Sequence, residues 1–164
     1  MSDTIMQTLI TDRTAADVAR WQTLRDKGYS NMTAAERAEW DAGSMKGAYN
    51  PPHDMNRVGE ALNYLRDRLA EAHYIDADSF TAKTDWTTAD IPTAADLADY
   101  LGYVSAVREA LAQFATTPQT PANTGGLDYQ EANDIEKILL DVDQLITNML
   151  AARYFCGELY GGEV

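Results

Sequence analysis

The sequence predicts an all-α protein, a bundle of three long helices with two short helices before them and an extended arm at each end. Three observations predict it. Apolar residues recur at steps of three and four through three separate stretches, the spacing that lines side chains along one helical face. Four helix starts carry a Thr or Asp followed three residues later by an acid: Thr14 and Asp17, Thr33 and Glu36, Thr93 and Asp96, Asp128 and Glu131. The three long stretches also share a register, an acid followed by apolar positions at +1, +4, +8 and +11. Asp54 leads Met55, Val58, Leu62 and Leu65; Asp96 leads Leu97, Tyr100, Val104 and Val107; Asp134 leads Ile135, Ile138, Val142 and Leu145. Stripes of that period pack helices at about 20° to one another.

Residues 1–13 form the first arm, in which Ile5, Met6, Leu9 and Ile10 are apolar but have no partner element of their own. They are expected to dock on another helix or another subunit. Thr14 then opens a helix carrying Val18, Trp21 and Leu24 and ending at Gly28; Thr33 opens a second, carrying Trp40 and stopped by Gly43. Both are too short to persist alone, so Trp21 and Trp40 are expected to be buried against the long helices.

Asn50 caps the first long helix with Pro51 at N1, and Met55, Val58, Leu62, Leu65 and Leu69 run through about Ala72. Tyr74–Pro92 lacks helical period and reads as an ordered connection anchored by Phe80 and Trp86. The second long helix is lined by Leu97, Tyr100, Leu101, Val104, Val107, Leu111 and Phe114, and residues 116–126 form a Pro- and Gly-punctuated linker. The third, from Tyr129 to Cys156, carries Ile135, Ile138, Leu139, Val142, Leu145, Ile146, Met149 and Ala152, a stripe wide enough to face two neighbours. It is the expected central helix, about 42 Å long. Gly157 should stop it, leaving 14–156 as one helical domain and 157–164 as a tail with Leu159 and Tyr160 as apolar anchors. Both long connections exceed the ~2–8 residues usual between bundle neighbours, so either could run back along the bundle and leave parallel helices.

Composition removes several function classes. Lys+Arg 13 against Asp+Glu 26 gives a net charge of −13, which argues against nucleic acid and anionic membrane as partners. No apolar run approaches the ~20 residues of a membrane span, and the start MSDTIMQTLITDR shows no basic-then-apolar leader. The single cysteine, Cys156, has no internal partner and suits synthesis in a reducing compartment.

No catalytic, cofactor-binding or metal-binding residue is expected. His53 and His73 lie some 20 residues apart on one rod, about 30 Å, too far to share a metal or a proton. Asp76 and Asp78 begin like a calcium loop but lack its glycine and its twelfth-position acid. Asp141 and Asp143 read as solvent-facing carboxylates without partners, and Cys156, three residues after Arg153, as a buried cysteine at a helix end.

The strings AYNPPHDMNRVGEALNYL and KTDWTTADIPTAADLADYLGYV, with ITDRTAADV, LDYQEANDIEKILLDVDQLITNM and GELYGGEV, cover most of residues 10–164. They resemble segments of uncharacterised proteins encoded in phages and prophages of Gram-positive, largely gut, bacteria, often among tail or baseplate genes. In the second unit Ala98-Asp99 stands where that group often has Asn-Arg, which leaves Asn56-Arg57 as the pair able to make any such contact. The resemblance implies a virion structural or assembly protein of tail, baseplate or fibre attachment, made in the bacterial host cytoplasm and not an enzyme. Its partners would be other phage structural proteins or further copies of the chain. Ile5, Leu9, Ile10, Asn56, Arg57, Leu159 and Tyr160 are the candidate interaction residues. A free acidic phage-encoded inhibitor, mimicking DNA or blocking a host protein, is the alternative.

Overall fold

Asn50 begins the first long element: its side-chain oxygen accepts the His53 N–H, and the turn Pro51–Met55 is wide, with both Asp54 and Met55 N–H groups reaching the Asn50 carbonyl. The computed structural model describes residues 3–123 and 125–159, the side chains of residues 3 and 153–159 excepted. Its helices are α1 (Asp3–Met6), α2 (Ala15–Lys27), α3 (Ala34–Asp41), α4 (Asn56–Glu71), α5 (Ala94–Glu109) and α6 (Tyr129–Leu159). Among the described residues there is no strand. The protein is an all-α helical bundle.

Every expected cap forms. Thr14 with Asp17, Thr33 with Glu36 and Thr93 with Asp96 close reciprocal boxes at the starts of α2, α3 and α5. At α6 the Asp128 carboxylate accepts the N–H groups of Gln130 and Glu131, and Glu131 accepts the Asp128 N–H. These contacts satisfy N–H groups that an open helix end leaves without partners.

α4, α5 and α6 build the core. Val58, Leu62, Leu65 and Leu69 from α4 meet Val104 and Val107 from α5 and Ile135, Ile138, Leu139, Val142 and Ile146 from α6, all fully buried. Of the twelve positions in the shared register, ten are buried; Leu97 is half-buried against the core, and Leu145 is half-buried outside it. The α6 stripe therefore centres on Leu139 and Val142, with Leu145 on its flank. Further along the stripe Ile146 is buried in the core, and Met149 and Leu150 pack half-buried against it.

The three long helices run parallel, which the side-chain pairings establish. Arg57 of α4 meets Glu136 of α6, and eleven residues on Arg68 meets Asp143 and Thr147. After α4 the chain doubles back along it: Phe80 lies at Arg66, Ala82 at Asn63 and Trp86 at Asn56. α5 thus starts beside the start of α4, and Phe80 stacks on Tyr103, ring centroids 4.7 Å apart, between the two helices. After α5 the chain again returns, with Pro118 accepting from Arg108 and Thr117 donating to Asp141.

An extended return segment has no sheet to satisfy its backbone, and asparagines on α4 do that work. Asn56 accepts the Trp86 N–H at 2.8 Å and donates to the Trp86 carbonyl at 2.9 Å. Asn63, seven residues on and on the same face, does the same for Ala82 at 2.9 Å each way. Between them sits Gly59, where a Cβ would lie 2.5 Å from the Lys83 carbonyl oxygen. Two amide hooks and a glycine gap lay the segment into α4, and Phe80 and Trp86 anchor it in the core as expected.

Two helix ends and the packing of the two short helices differ from the sequence expectation. α5 ends at Glu109, short of Leu111 and Phe114; Gln113 turns its amide onto the Arg108 and Leu111 carbonyls there, and Phe114 is exposed. α6 continues through Gly157 to Leu159, because a glycine in a helix costs only about 1 kcal/mol and stops it only where the chain takes a positive φ. α2 and α3 pair as an antiparallel hairpin in which Leu24 and, just before α3, Met32 are buried. Arg20 meets Glu39 and Lys27 meets Glu36, each at 2.6 Å, and the Lys27 ammonium with the Thr33 N–H holds the Glu36 carboxyl down to about 2. Trp21 and Trp40 are half-buried and lie outside the main core.

Candidate functional site

Two features lie where the N-terminal segment meets the bundle: a buried ionic tie and a groove. The tie begins with Glu136, an acid on the border of the α6 stripe, four residues after buried Ala132 and three before buried Leu139. Its carboxylate is fully buried and accepts Arg13 at 2.6 Å, Arg57 at 2.8 and 3.1 Å, and the Ile10 N–H at 2.5 Å. Asp54, from the wide turn before α4, accepts Arg13 at 3.0 Å, Arg57 at 2.7 Å and the Asn50 N–H at 2.8 Å. Two guanidinium groups and two carboxylates thus neutralise one another out of water, the condition under which buried charge is tolerated.

The tie fastens the arm. Arg13 donates to the Ile10 carbonyl at 2.8 Å, and Asn133 holds both the N–H and the carbonyl of Arg13 at 3.0 Å. Tyr49 lies 5.4 Å from the Arg13 guanidinium and shares a hydrogen bond with Tyr100 of α5. Burial first, then the Glu136 charge, pushes the Tyr49 phenol well above its ordinary range. Burial alone would lower Arg57, yet its bonds to Glu136 and Asp54 outweigh that and raise it. With two guanidinium groups set against two carboxylates, the tie is an electrostatic clasp between the arm, the start of α4 and α6.

The groove opens beside it. A cavity of about 790 Å³ lies between the α2–α3 hairpin, the loop before Asn50 and the first turn of α6. Val18, Trp21, Trp40, Met45, Leu127 and Tyr129 wall it, with Arg13 and Lys46 among its charged lining. Gly47 makes the approach of loop and hairpin feasible, since a Cβ there would fall 2.0 Å from the Asp17 carbonyl oxygen.

The candidate residues fall in three groups. Ile5 and Leu9 pack half-buried against the chain's own core beside buried Met6, and Ile10 is held by Glu136 and Arg13, so the arm folds back on its own bundle. Asn56 and Arg57 also make their contacts inside the chain, to Trp86 and to the tie. Leu159 is the last residue of α6 and its side chain lies outside the described residues, as does Tyr160 entirely. Asp141 and Asp143, read as unpartnered surface acids, are both paired: Asp141 is buried and bound by Thr117 and Lys137, and Asp143 is bound by Arg68. Thr117 comes from the return segment after α5 and Arg68 from α4, both distant in sequence, whereas Lys137 lies one turn earlier on α6 itself. Arg13, Asp54 and Glu136 carried one faint signal, an acid at position 136 bordering an otherwise apolar stripe.

The fold and site together define a parallel three-helix bundle clasped to its N-terminal segment by an internal ionic tie. No protein-family model matches the chain, and no curated protein or solved structure does either.

Proposed function

We propose that the chain is a non-catalytic assembly protein of a phage particle, an interaction module of the tail, baseplate or fibre-attachment region. The observation that carries this reading is where the phage-like strings meet. ITDR supplies Arg13, YNPPHDMNR supplies Tyr49, Asn50, Asp54, Asn56 and Arg57, KTDW supplies Trp86, and EANDIEK supplies Asn133 and Glu136. All of them sit in the tie or in the hook beside it. Strings used in this way specify a shape and its rigidity, which is what a particle component contributes. The acids support the same reading over the inhibitor, because many are committed to caps and internal pairs rather than arrayed on one face: Asp17, Glu36 and Asp96 in caps, Asp54, Glu136 and Asp141 buried.

The test is mass spectrometry of purified, washed particles from a host expressing the chain. The expected result is a stoichiometric component of the particle. A chain abundant in the infected cell but missing from the particles would overturn the reading in favour of the free inhibitor.

A further inference from the structure

The face of α4 that carries Asn56, Gly59, Asn63 and Arg66, at steps of three, four and three, reads backbone rather than side chains. Asn56 and Asn63 each hold both polar groups of one residue, Gly59 leaves room for the Lys83 carbonyl, and Arg66 donates to the Phe80 carbonyl at 2.7 Å. Three side chains of the segment point inward and are buried, Phe80, Ala82 and Trp86, while Thr81, Lys83 and Asp85 between them are exposed. Main-chain bonds for affinity, with apolar seats for a few side chains, are how proteins bind an extended peptide. Segment 80–86 is such a peptide, tethered at both ends.

The tethers are longer than the fold needs. Phe80 lies beside Arg66, about 8 Å short of the end of α4 at Glu71, yet residues 72–79 span about 26 Å when extended. Trp86 lies beside Asn56 and near Asp96 in the first turn of α5, about one helix spacing of 8–10 Å away, whereas residues 87–93 span about 23 Å. The excess is stored in two small turns, closed by the Ser79 N–H on the Asp76 carbonyl and the Asp90 N–H on the Thr87 carbonyl. Asp76–Ser79 and Thr87–Ala89 are exposed, as is Ile91. Opening the turns releases on the order of 15 Å of reach at each end without unwinding α4 or α5.

We infer that segment 80–86 is exchangeable between two copies of the chain: the segment of one lies on α4 of the second, and the second returns its own. Every contact with α4 and α5 is then the same as within one chain. Only connectivity changes, and concentration decides between the two forms. The product is a closed two-fold dimer in which each copy completes the other's core with Phe80 and Trp86. The exchange is a property of the purified chain, so its failure and the failure of the particle reading are separate results.

A peptide of residues 78–88 and a pair of variants test it. Trp86→Ala keeps the hooks but loses an anchor of its own segment, so the peptide should displace that segment and raise the melting temperature as its concentration rises. If Trp86→Ala is unfolded by itself, the peptide should restore its helical circular dichroism. Adding Asn56→Ala to Trp86→Ala should weaken binding of the labelled peptide about tenfold or more, read by fluorescence anisotropy. In sedimentation velocity Trp86→Ala and Asn63→Ala should each be monomeric. Their mixture, warmed and cooled to open the turns, should contain a dimer, because an intact segment meets intact hooks only across the two chains. A peptide that acts no better than a scrambled one would overturn the proposal. So would peptide binding unmoved by Asn56→Ala, a mixture that stays monomeric, or a single variant that dimerises as strongly as the mixture.

Discussion

Replacing Glu136 by Gln is the sharpest test of the tie. The side chain keeps its shape but loses its charge, leaving the Arg13 and Arg57 guanidinium groups with one carboxylate, Asp54, between them. Arg13 is 2% and Glu136 0% exposed, so water cannot compensate. Removing one partner of a buried ion pair costs about 3–5 kcal/mol, a large part of the ~5–15 kcal/mol that holds a domain together. Apolar replacement of the whole tie would not rescue it, because Glu136 also accepts the Ile10 N–H and Asp54 the Asn50 N–H. In urea the midpoint should fall by on the order of 1–3 M with an unchanged slope. The Ile10 amide should lose its protection from hydrogen exchange first, since the arm is released before the core opens. Asp143→Gln breaks a pair with Arg68 that is still partly exposed and should cost about 1 kcal/mol or less. Equal effects from the two substitutions would refute the account of the tie as a buried, mutually neutralised set.

Two further substitutions probe the return segment and the end of α4. Asn56→Ala leaves the Trp86 N–H and carbonyl without partners and should cost about 2–4 kcal/mol, with limited proteolysis accelerated within residues 83–91. Asn148→Ala on the exposed face of α6 should stay within about 0.5 kcal/mol, and matching losses would reject the hook. α4 ends with His73 at φ +61°, flanked by bonds from His73 to the Ala70 carbonyl and from Tyr74 to the Leu69 carbonyl, the arrangement in which glycine is preferred. Because His73 is exposed, His73→Gly should stabilise by about 0.5–1 kcal/mol after glycine's greater chain entropy is set against the relieved strain. A calorimetric Tm that falls in this variant would show that the imidazole contributes something the backbone argument omits.

The local level of the fold was legible in the residues. Four caps were marked by a Thr or Asp three residues ahead of an acid, the fifth by Asn50 before Pro51, and each long helix by apolar spacing, because these contacts form within one or two turns of the chain. The anchoring of the return segment by Phe80 and Trp86 was visible for a related reason: a large aromatic in a stretch without period has to be covered by something. The hairpin tryptophans were harder. Trp21 and Trp40 had to be covered, but only the packed structure shows them walling a groove instead of entering the core.

What the sequence by itself determined is therefore the all-α class, the number of long helices and where they begin. The tertiary structure decided their direction, their partners and the position of the site. Parallel helices depend on two connections that double back: the first is held by Asn56 and Asn63 meeting backbone groups 30 and 19 residues away, the second by Arg108 on the Pro118 carbonyl and Thr117 on Asp141. The tie depends on Arg13 and Glu136, 123 residues apart, and nothing local in either one specifies the other. Hydrogen bonds and ion pairs of that separation are set by which surfaces the chain buries together, so no window of sequence contains them.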